Sequence, residues 1–205
     1  MMSVAFLAGL FALPSLVVFD LDWTLWTRPR FRVGPPWKPI EGGLSGVRAQ
    51  SGEVIDLYSG SRRALATLAD AGVPVAVASR THRPQWAQEW LQMLHVDASR
   101  TVASVLGAEP LIVIRDGSKA CHVREISKRA GVPLDSMLYF DDSYTDILTV
   151  EQLGVTVMHC PDSLGVTDAV FREGLLRHAK GGTERELASR PARKRGRRRR
   201  VDRLE

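Results

Sequence analysis

The stretch LVVFDLDWTLW, residues 16–26, places two carboxylates, Asp20 and Asp22, at the end of a short apolar run. Carboxylates this close repel one another, and burial at a strand end sharpens the repulsion because desolvation disfavours the charged form. A cation held in the same place would offset it. Such a pair can transfer protons or attack an electrophilic centre. Three other segments deliver polar groups to the ends of apolar runs. Ser79 and Arg80 close VPVAVASR, Asp141 and Asp142 close MLYFDD, and Lys119 follows LIVI at the start of a helical pattern. These four segments meet only if their apolar runs lie side by side.

The pattern after Ser15 provides for that. Residues 16–19 and 73–78 read as buried strands. Between them residues 61–71 put Ala64, Leu65, Leu68 and Ala69 on one helical face, with Gly72 as the stop. Residues 81–94 continue as a helix with Trp86, Trp90, Leu91 and Leu94 on its apolar stripe and Pro84 in the first turn. LIVI (111–114), MLYF (137–140) and VTVM (155–158) are further strands, and 119–130 is a helix with Val123, Ile126 and Ala130 inward and Gly131 at its end. Alternation of this kind predicts an α/β fold with a doubly wound parallel sheet, whose ligands bind at the carboxyl ends of the strands. Residues 28–53 are rich in Gly and Pro and read as a long loop or small flap over that end. Residues 96–115 read as a loop-like stretch carrying LIVI.

Composition divides the chain into an N-terminal apolar extension (1–14), a body (15–178) and a tail (179–205). The formal charge is +5, but the tail holds 11 Lys/Arg against 4 Asp/Glu, so the body is slightly acidic. With almost no apolar residues to offset the entropy of ordering, the tail is expected to be disordered. Its run RKRGRRRR suits a polyanion contact or a nuclear import signal. The first 14 residues lack the basic flank of a secretion signal, and no run has the ~18–20 apolar residues of a membrane span. Two cysteines, Cys121 and Cys160, without metal-ligand spacing fit a reduced protein of the cytoplasm or nucleus. A monomer is expected.

The segments DLDWT, ASR, GSK and FDD, in this order, resemble the four motifs of the haloacid dehalogenase (HAD) superfamily of phosphohydrolases. VVFDLDWTLW, YSGSRRALATLADAGVPVAVASRT, DGSK and YFDDSYTDI followed by LGVTVMHC are similar to the magnesium-dependent phosphatase family, small enzymes similar to eukaryotic protein tyrosine phosphatases of this fold. The resemblance spans residues 15–178.

The resemblance implies a Mg²⁺-dependent phosphomonoester hydrolase with a minimal cap. Asp20 is then the nucleophile that becomes an aspartyl phosphate, and Asp22 the general acid and base. The implied metal residues are Asp20, Asp22 through its main-chain carbonyl, and Asp142 as direct ligand, with Asp141 positioning a metal-bound water. Asp146 reads as a solvated or helix-N-terminal carboxylate. Thr24 and Ser79 are expected to donate to phosphoryl oxygens, Ser79 from near the start of the 81–94 helix, and Lys119 to neutralise Asp20 and the phosphoryl group. Arg80 either holds a substrate oxygen or pairs with an acid. The expected substrate is a phosphorylated protein, phosphotyrosine in particular, or a small phosphomonoester such as a phosphosugar, including sugar phosphates on amines. Alternatives are a phosphatase of the RNA polymerase tail type, which shares the D-L-D-x-T start, and a non-catalytic, basic-tailed nucleic-acid binder.

Overall fold

The computed structural model describes residues 13–29, 33–40, 46–160 and 163–189. In chain order its elements are β1 (Leu16–Phe19), β2 (Lys38–Pro39), β3 (Val47–Arg48), β4 (Val54–Ile55), α1 (Ser59–Asp70), β5 (Val75–Ser79), α2 (Pro84–Met93), α3 (Val102–Leu106), β6 (Leu111–Ile114), α4 (Lys119–Ala130), β7 (Met137–Asp141), α5 (Tyr144–Glu151), β8 (Thr156–His159) and α6 (Asp168–Ser189).

Five strands form a parallel sheet in the order β6-β5-β1-β7-β8, so the α/β doubly wound expectation holds. The strands are buried on both faces, and that is why they read as unbroken apolar runs rather than alternating ones. Side chains still alternate between two cores. Val17, Phe19, Leu138 and Phe140 join residues of α1, α2 and α6, whereas Leu16, Val18, Ala76 and Tyr139 join Val123 and Ile126 of α4 and Ile147 and Val150 of α5. Burying a Val, Leu, Ile or Phe side chain contributes roughly 1.5–3 kcal/mol, so this central slab dominates the stability. Gly72 and Gly131 follow α1 and α4 with φ of +67° and +66°, the left-handed conformation that ends a helix at least cost for glycine.

Several boundaries differ from the pattern reading. α2 starts at Pro84 rather than residue 81, because a residue before proline is pushed out of the helical region, and Arg83 sits at φ −132° and ψ 64°. The 28–53 segment holds a three-stranded antiparallel sheet, β2-β3-β4, of two-residue strands. This small sheet is anchored through Trp37, whose ring centroid lies 5.2 Å from that of Trp86 and 5.1 Å from that of Trp90 on α2. Within 96–115 lies the short helix α3, capped by the Thr101 hydroxyl accepting from the Ser104 amide at 3.2 Å; five residues are too few for a periodicity signal. α6 runs beyond residue 178, and Ala179 on it is buried, so the tail boundary drawn from composition falls inside a helix. The basic run at 193–200 and residues 1–12 lie outside the described residues. Among the described residues no helix is long and apolar enough to cross a membrane.

Candidate active site

The chain leaves β1 to build β5 and β6 on one side, then crosses back to β7 and β8 on the other. The strand order therefore reverses between β1 and β7, the place where an open α/β sheet leaves a crevice. Phe19 pairs with Phe140 on β7 and Val77 on β5, which brings the carboxyl ends of all three strands nearly level. Asp20, donating its amide to the Phe140 carbonyl at 3.0 Å, thus sits between Ser79 and Asp141. A cavity of about 330 Å³ opens there, lined by Asp20, Asp22, Trp23, Ser79, Lys119, Asp141 and Asp142, with Arg28 and Arg80 on its walls.

Lys119 is the pin of the site. Its ammonium, 2% exposed, donates to Asp20 Oδ1 at 2.6 Å, Asp141 Oδ2 at 2.8 Å and the Ala78 carbonyl at 2.9 Å. All three of its protons are thereby used. It is delivered by the first turn of α4, whose preceding Ser118 caps the helix by accepting from the Cys121 amide at 3.2 Å. Burial works against the Lys119 charge, but Asp20 and Asp141 more than compensate and raise its pKa. Burial likewise pushes Asp20 up to about 7; Lys119 pulls it down, and Asp141 and Asp22 add to the rise.

Asp141 is held through both of its carboxylate oxygens. Oδ2 accepts from Lys119 and from the buried Tyr139 hydroxyl, and Oδ1 accepts from the Ser143 amide at 2.8 Å. A carboxylate offers about four lone-pair sites, so one is left. Tyr139 is a residue the sequence reading missed, having been read only as part of a strand. The signal that finds it is the two-residue spacing to Asp141, which puts both side chains on one face of β7. Burial raises the Tyr139 pKa well above its ordinary value, and the Asp141 charge adds to this, so the phenol keeps its proton and serves as a donor.

Asp22 points elsewhere. Its carboxylate accepts from Trp26 Nε1 at 2.9 Å and is also bonded by Thr81. Burial raises its pKa against the pull of Trp26, Arg28 and Thr81. The loop between Asp22 and Trp26 is tight: the Leu21 carbonyl accepts from the amides of Thr24, Leu25 and Trp26. It holds Trp23 at φ +62°, a left-handed conformation that costs a bulky residue about 1–2 kcal/mol.

Ser79 lines the cavity as expected, and its hydroxyl oxygen accepts from the Thr81 amide at 3.3 Å. It lies five residues before α2, not at that helix's start. Thr24 is a correction. Its side chain is fully buried, does not line the cavity, and its hydroxyl has no hydrogen-bond partner among the described residues. The turn that orients Asp22 folds Thr24 inward, where its carbonyl accepts from the Ser61 hydroxyl and the Val166 amide. Arg80 pairs with Asp146 at 2.5 Å, and Asp146 is buried in the first turn of α5 rather than solvated.

Asp20, Asp141 and Asp142 each offer a carboxylate oxygen within 4.8 Å of the others, a set that fits a small divalent cation. These are hard oxygen donors, the kind Mg²⁺ takes while keeping several waters. The Asp22 carboxylate is not in this cluster.

Residues 12–181 match the family model described as Acid Phosphatase. The human Magnesium-dependent phosphatase 1 is 33% identical over 174 residues, covering 83% of this chain and 90% of that protein. A HAD-like hydrolase superfamily protein of Schizosaccharomyces pombe is 32% identical over 148 residues, covering 71% and 84%. Among solved structures, an N-terminal phosphatase domain from Bacteroides fragilis complexed with Mg aligns with a TM-score of 0.52 at 18% identity, over 80% of this chain and 40% of that one. The cobalt-bound deoxy-D-mannose-octulosonate 8-phosphate phosphatase of Haemophilus influenzae aligns at 0.51 and 16% identity, over 86% and 94%. These two share the fold. With the family model spanning the whole described body and the human relative nearly as much, the chain belongs to the acid phosphatase family and, within the HAD superfamily, to its magnesium-dependent phosphatases.

Proposed function

We propose that the chain hydrolyses phosphomonoesters through an aspartyl phosphate on Asp20, with Mg²⁺ as cofactor. The observation that carries this reading is the Asp20–Lys119–Asp141 ion triad at the foot of an open cleft. Asp20 and Asp142 are the carboxylates assigned to the metal. Asp141 holds Lys119 and takes the outer position, because three of its lone-pair sites are already filled by the chain. When bound, Mg²⁺ supplies positive charge to the phosphoryl oxygens.

In the first half-reaction an Asp20 oxygen bonds to phosphorus as the bond to the leaving alcohol breaks. Asp22 gives its proton to the departing oxygen; its orientation by Trp26 and Thr81 and a pKa raised by burial suit a general acid at the cleft wall. In the second, Asp22 takes a proton from water, the water oxygen bonds to phosphorus, and the bond from phosphorus to Asp20 breaks to release phosphate. Lys119 meets the charge that develops on the phosphoryl group without having to move, and Ser79 donates its hydroxyl proton to the same group.

Protein phosphotyrosine and phosphosugars are the substrate classes that fit an open cleft. No residue of β2, β3 or β4 lines the cavity, and an exposed phosphoryl-bearing side chain can enter from solvent. The basic tail is assigned to contact with a polyanion or the nuclear import machinery, and the protein to the cytoplasm or nucleus. The test is a panel of aryl, peptidyl and sugar phosphomonoesters with and without Mg²⁺, together with borohydride quenching of the Asp22→Asn protein during turnover. Reduction of the acyl phosphate to an alcohol at position 20, seen by mass spectrometry, is expected. Turnover with no trapped adduct and no need for metal overturns the reading.

A further inference from the structure

The phosphoryl seat leaves two cationic side chains of the cleft wall unused. Arg28 and Arg80 both line the cavity, and neither bonds to Asp20, Asp141 or Lys119. Arg83, a third guanidinium there, is committed elsewhere: it donates to the Val33 carbonyl at 3.1 Å and stacks 4.0 Å over Trp86. Arg28 is exposed beside Asp22.

Arg80 is held in an instructive way. It follows Ser79 directly, and its Nη2 meets Asp146 Oδ2 at 2.5 Å across the cleft, from the end of β5 to the first turn of α5. The Asp146 side chain is 9% exposed and the Arg80 side chain 47%. Burying a carboxylate is costly unless it is paired, and an exposed arginine gains little from one more surface partner. A buried acid tethering a half-exposed arginine is economical as an orienting device. A guanidinium carries five donors in a planar fork, so the Asp146 contact fixes its plane and leaves donors toward the cavity.

We propose that Arg80, oriented by the positioning residue Asp146, and Arg28 form a second anion seat beside the phosphoryl seat. The substrate is then a phosphomonoester that bears another anionic group, a carboxylate or a second phosphate, a few bonds from the ester. This deepens the phosphatase reading above and rests on it.

The experiment measures competitive inhibition of 4-nitrophenyl phosphate hydrolysis by propylphosphonate, 3-phosphonopropionate and propane-1,3-diphosphonate at saturating Mg²⁺. The two compounds that carry a second anionic group are expected to bind about tenfold or more tighter than propylphosphonate, the size of one charge-assisted hydrogen bond. Their relative strength tells a carboxylate from a phosphate as the natural group. Arg80→Met and Arg28→Met should each shrink the preference, and Asp146→Asn should shrink it although Arg80 is still present, because its orientation is lost. Arg80→Lys should not restore it, because an ammonium lacks the planar fork. Equal inhibition by all three compounds overturns the proposal. So does a preference that survives both arginine substitutions, which would assign the second anion to the metal. Absence of any 4-nitrophenyl phosphate hydrolysis by folded, Mg²⁺-loaded protein would instead overturn the phosphatase reading itself.

Discussion

Lys119 and Asp20, 99 residues apart in the chain, meet at 2.6 Å in a buried ion pair. With Asp141 at 2.8 Å on its other side, Lys119 neutralises one charge of a three-carboxylate cluster and leaves the remainder for a divalent cation. Lys119→Met leaves Asp20 and Asp141 facing each other without compensation. Breaking a buried pair in this way costs about 3–5 kcal/mol, so a large fall in Tm in metal-free buffer is expected, partly recovered by Mg²⁺. Turnover should fall by roughly 10²-fold or more, the scale of losing a preorganised charge at a transition state. Lys119→Met with turnover near wild type would remove Lys119 from the mechanism.

The pH dependence follows from Asp20. Burial pushes its folded pKa up to about 7, from 3.8 in an exposed setting. A carboxyl whose folded pKa is raised favours the protonated folded state. Its contribution to stability is therefore greatest below pH 4 and declines as pH rises toward 7 and is absent above it. Metal-free wild type should lose Tm between about pH 4 and 7 relative to Asp20→Asn, which cannot ionise at that position, and Mg²⁺ should reduce the difference. Raising Mg²⁺ should also extend activity to lower pH, since cation and proton compete for the same carboxylates. Thermal melts across this pH range, with EDTA and with Mg²⁺, are the measurement. Asp20→Asn itself should be folded and inactive.

Asp22 is distinguished by its leaving-group dependence. Its carboxyl is held by Trp26 Nε1 and raised in pKa by burial, so Asp22→Asn removes a proton donor without removing a cluster carboxylate. Alkyl phosphates, whose leaving oxygen needs a proton, should lose ~10²–10⁴-fold in kcat, and 4-nitrophenyl phosphate far less. Equal losses across a series of leaving groups would restrict Asp22 to holding structure or metal.

Tyr139→Phe tests the donor beneath Asp141. The change keeps ring packing in the α4–α5 core and deletes one hydrogen bond to a buried carboxylate, for a stability loss of about 1.5–3 kcal/mol. With one lone-pair site freed, Asp141 is less firmly placed against Lys119, and a fall in kcat of roughly tenfold with KM little changed is expected. Calorimetric titration with Mg²⁺ should show altered affinity. Unchanged kcat and unchanged Mg²⁺ affinity would leave Tyr139 a packing residue only.

Much of this was legible along the chain because the sheet is buried on both faces. Apolar runs such as LVVF and MLYF then mark strands unambiguously, and the polar residue that ends each run marks the rim. Asp20, Ser79 and Asp141 were found in that way, since a strand terminus fixes which end of the sheet a side chain reaches, and Lys119 from its place at the start of the helix that follows LIVI. Local sequence also sufficed for the turns: Gly72 and Gly131 end their helices at left-handed positions.

Contacts between segments were decided by tertiary structure alone. Thr24 and Asp22 sit two residues apart in one loop, yet the turn around the Leu21 carbonyl sends Asp22 to Trp26 and the cleft and folds Thr24 into the interior. The pairing of Arg80 with Asp146 joins the ends of β5 and α5, which become neighbours only through the intervening β1 and β7. Tyr139 becomes a donor to Asp141 only because α4 closes over that face of β7 and excludes water, so the hydroxyl must find its partner within the protein. A sequence specifies which groups arrive at the rim through short-range pattern. Which of them touch is determined by sheet order and burial, because hydrogen bonds and ion pairs form over a few ångströms whatever the separation along the chain.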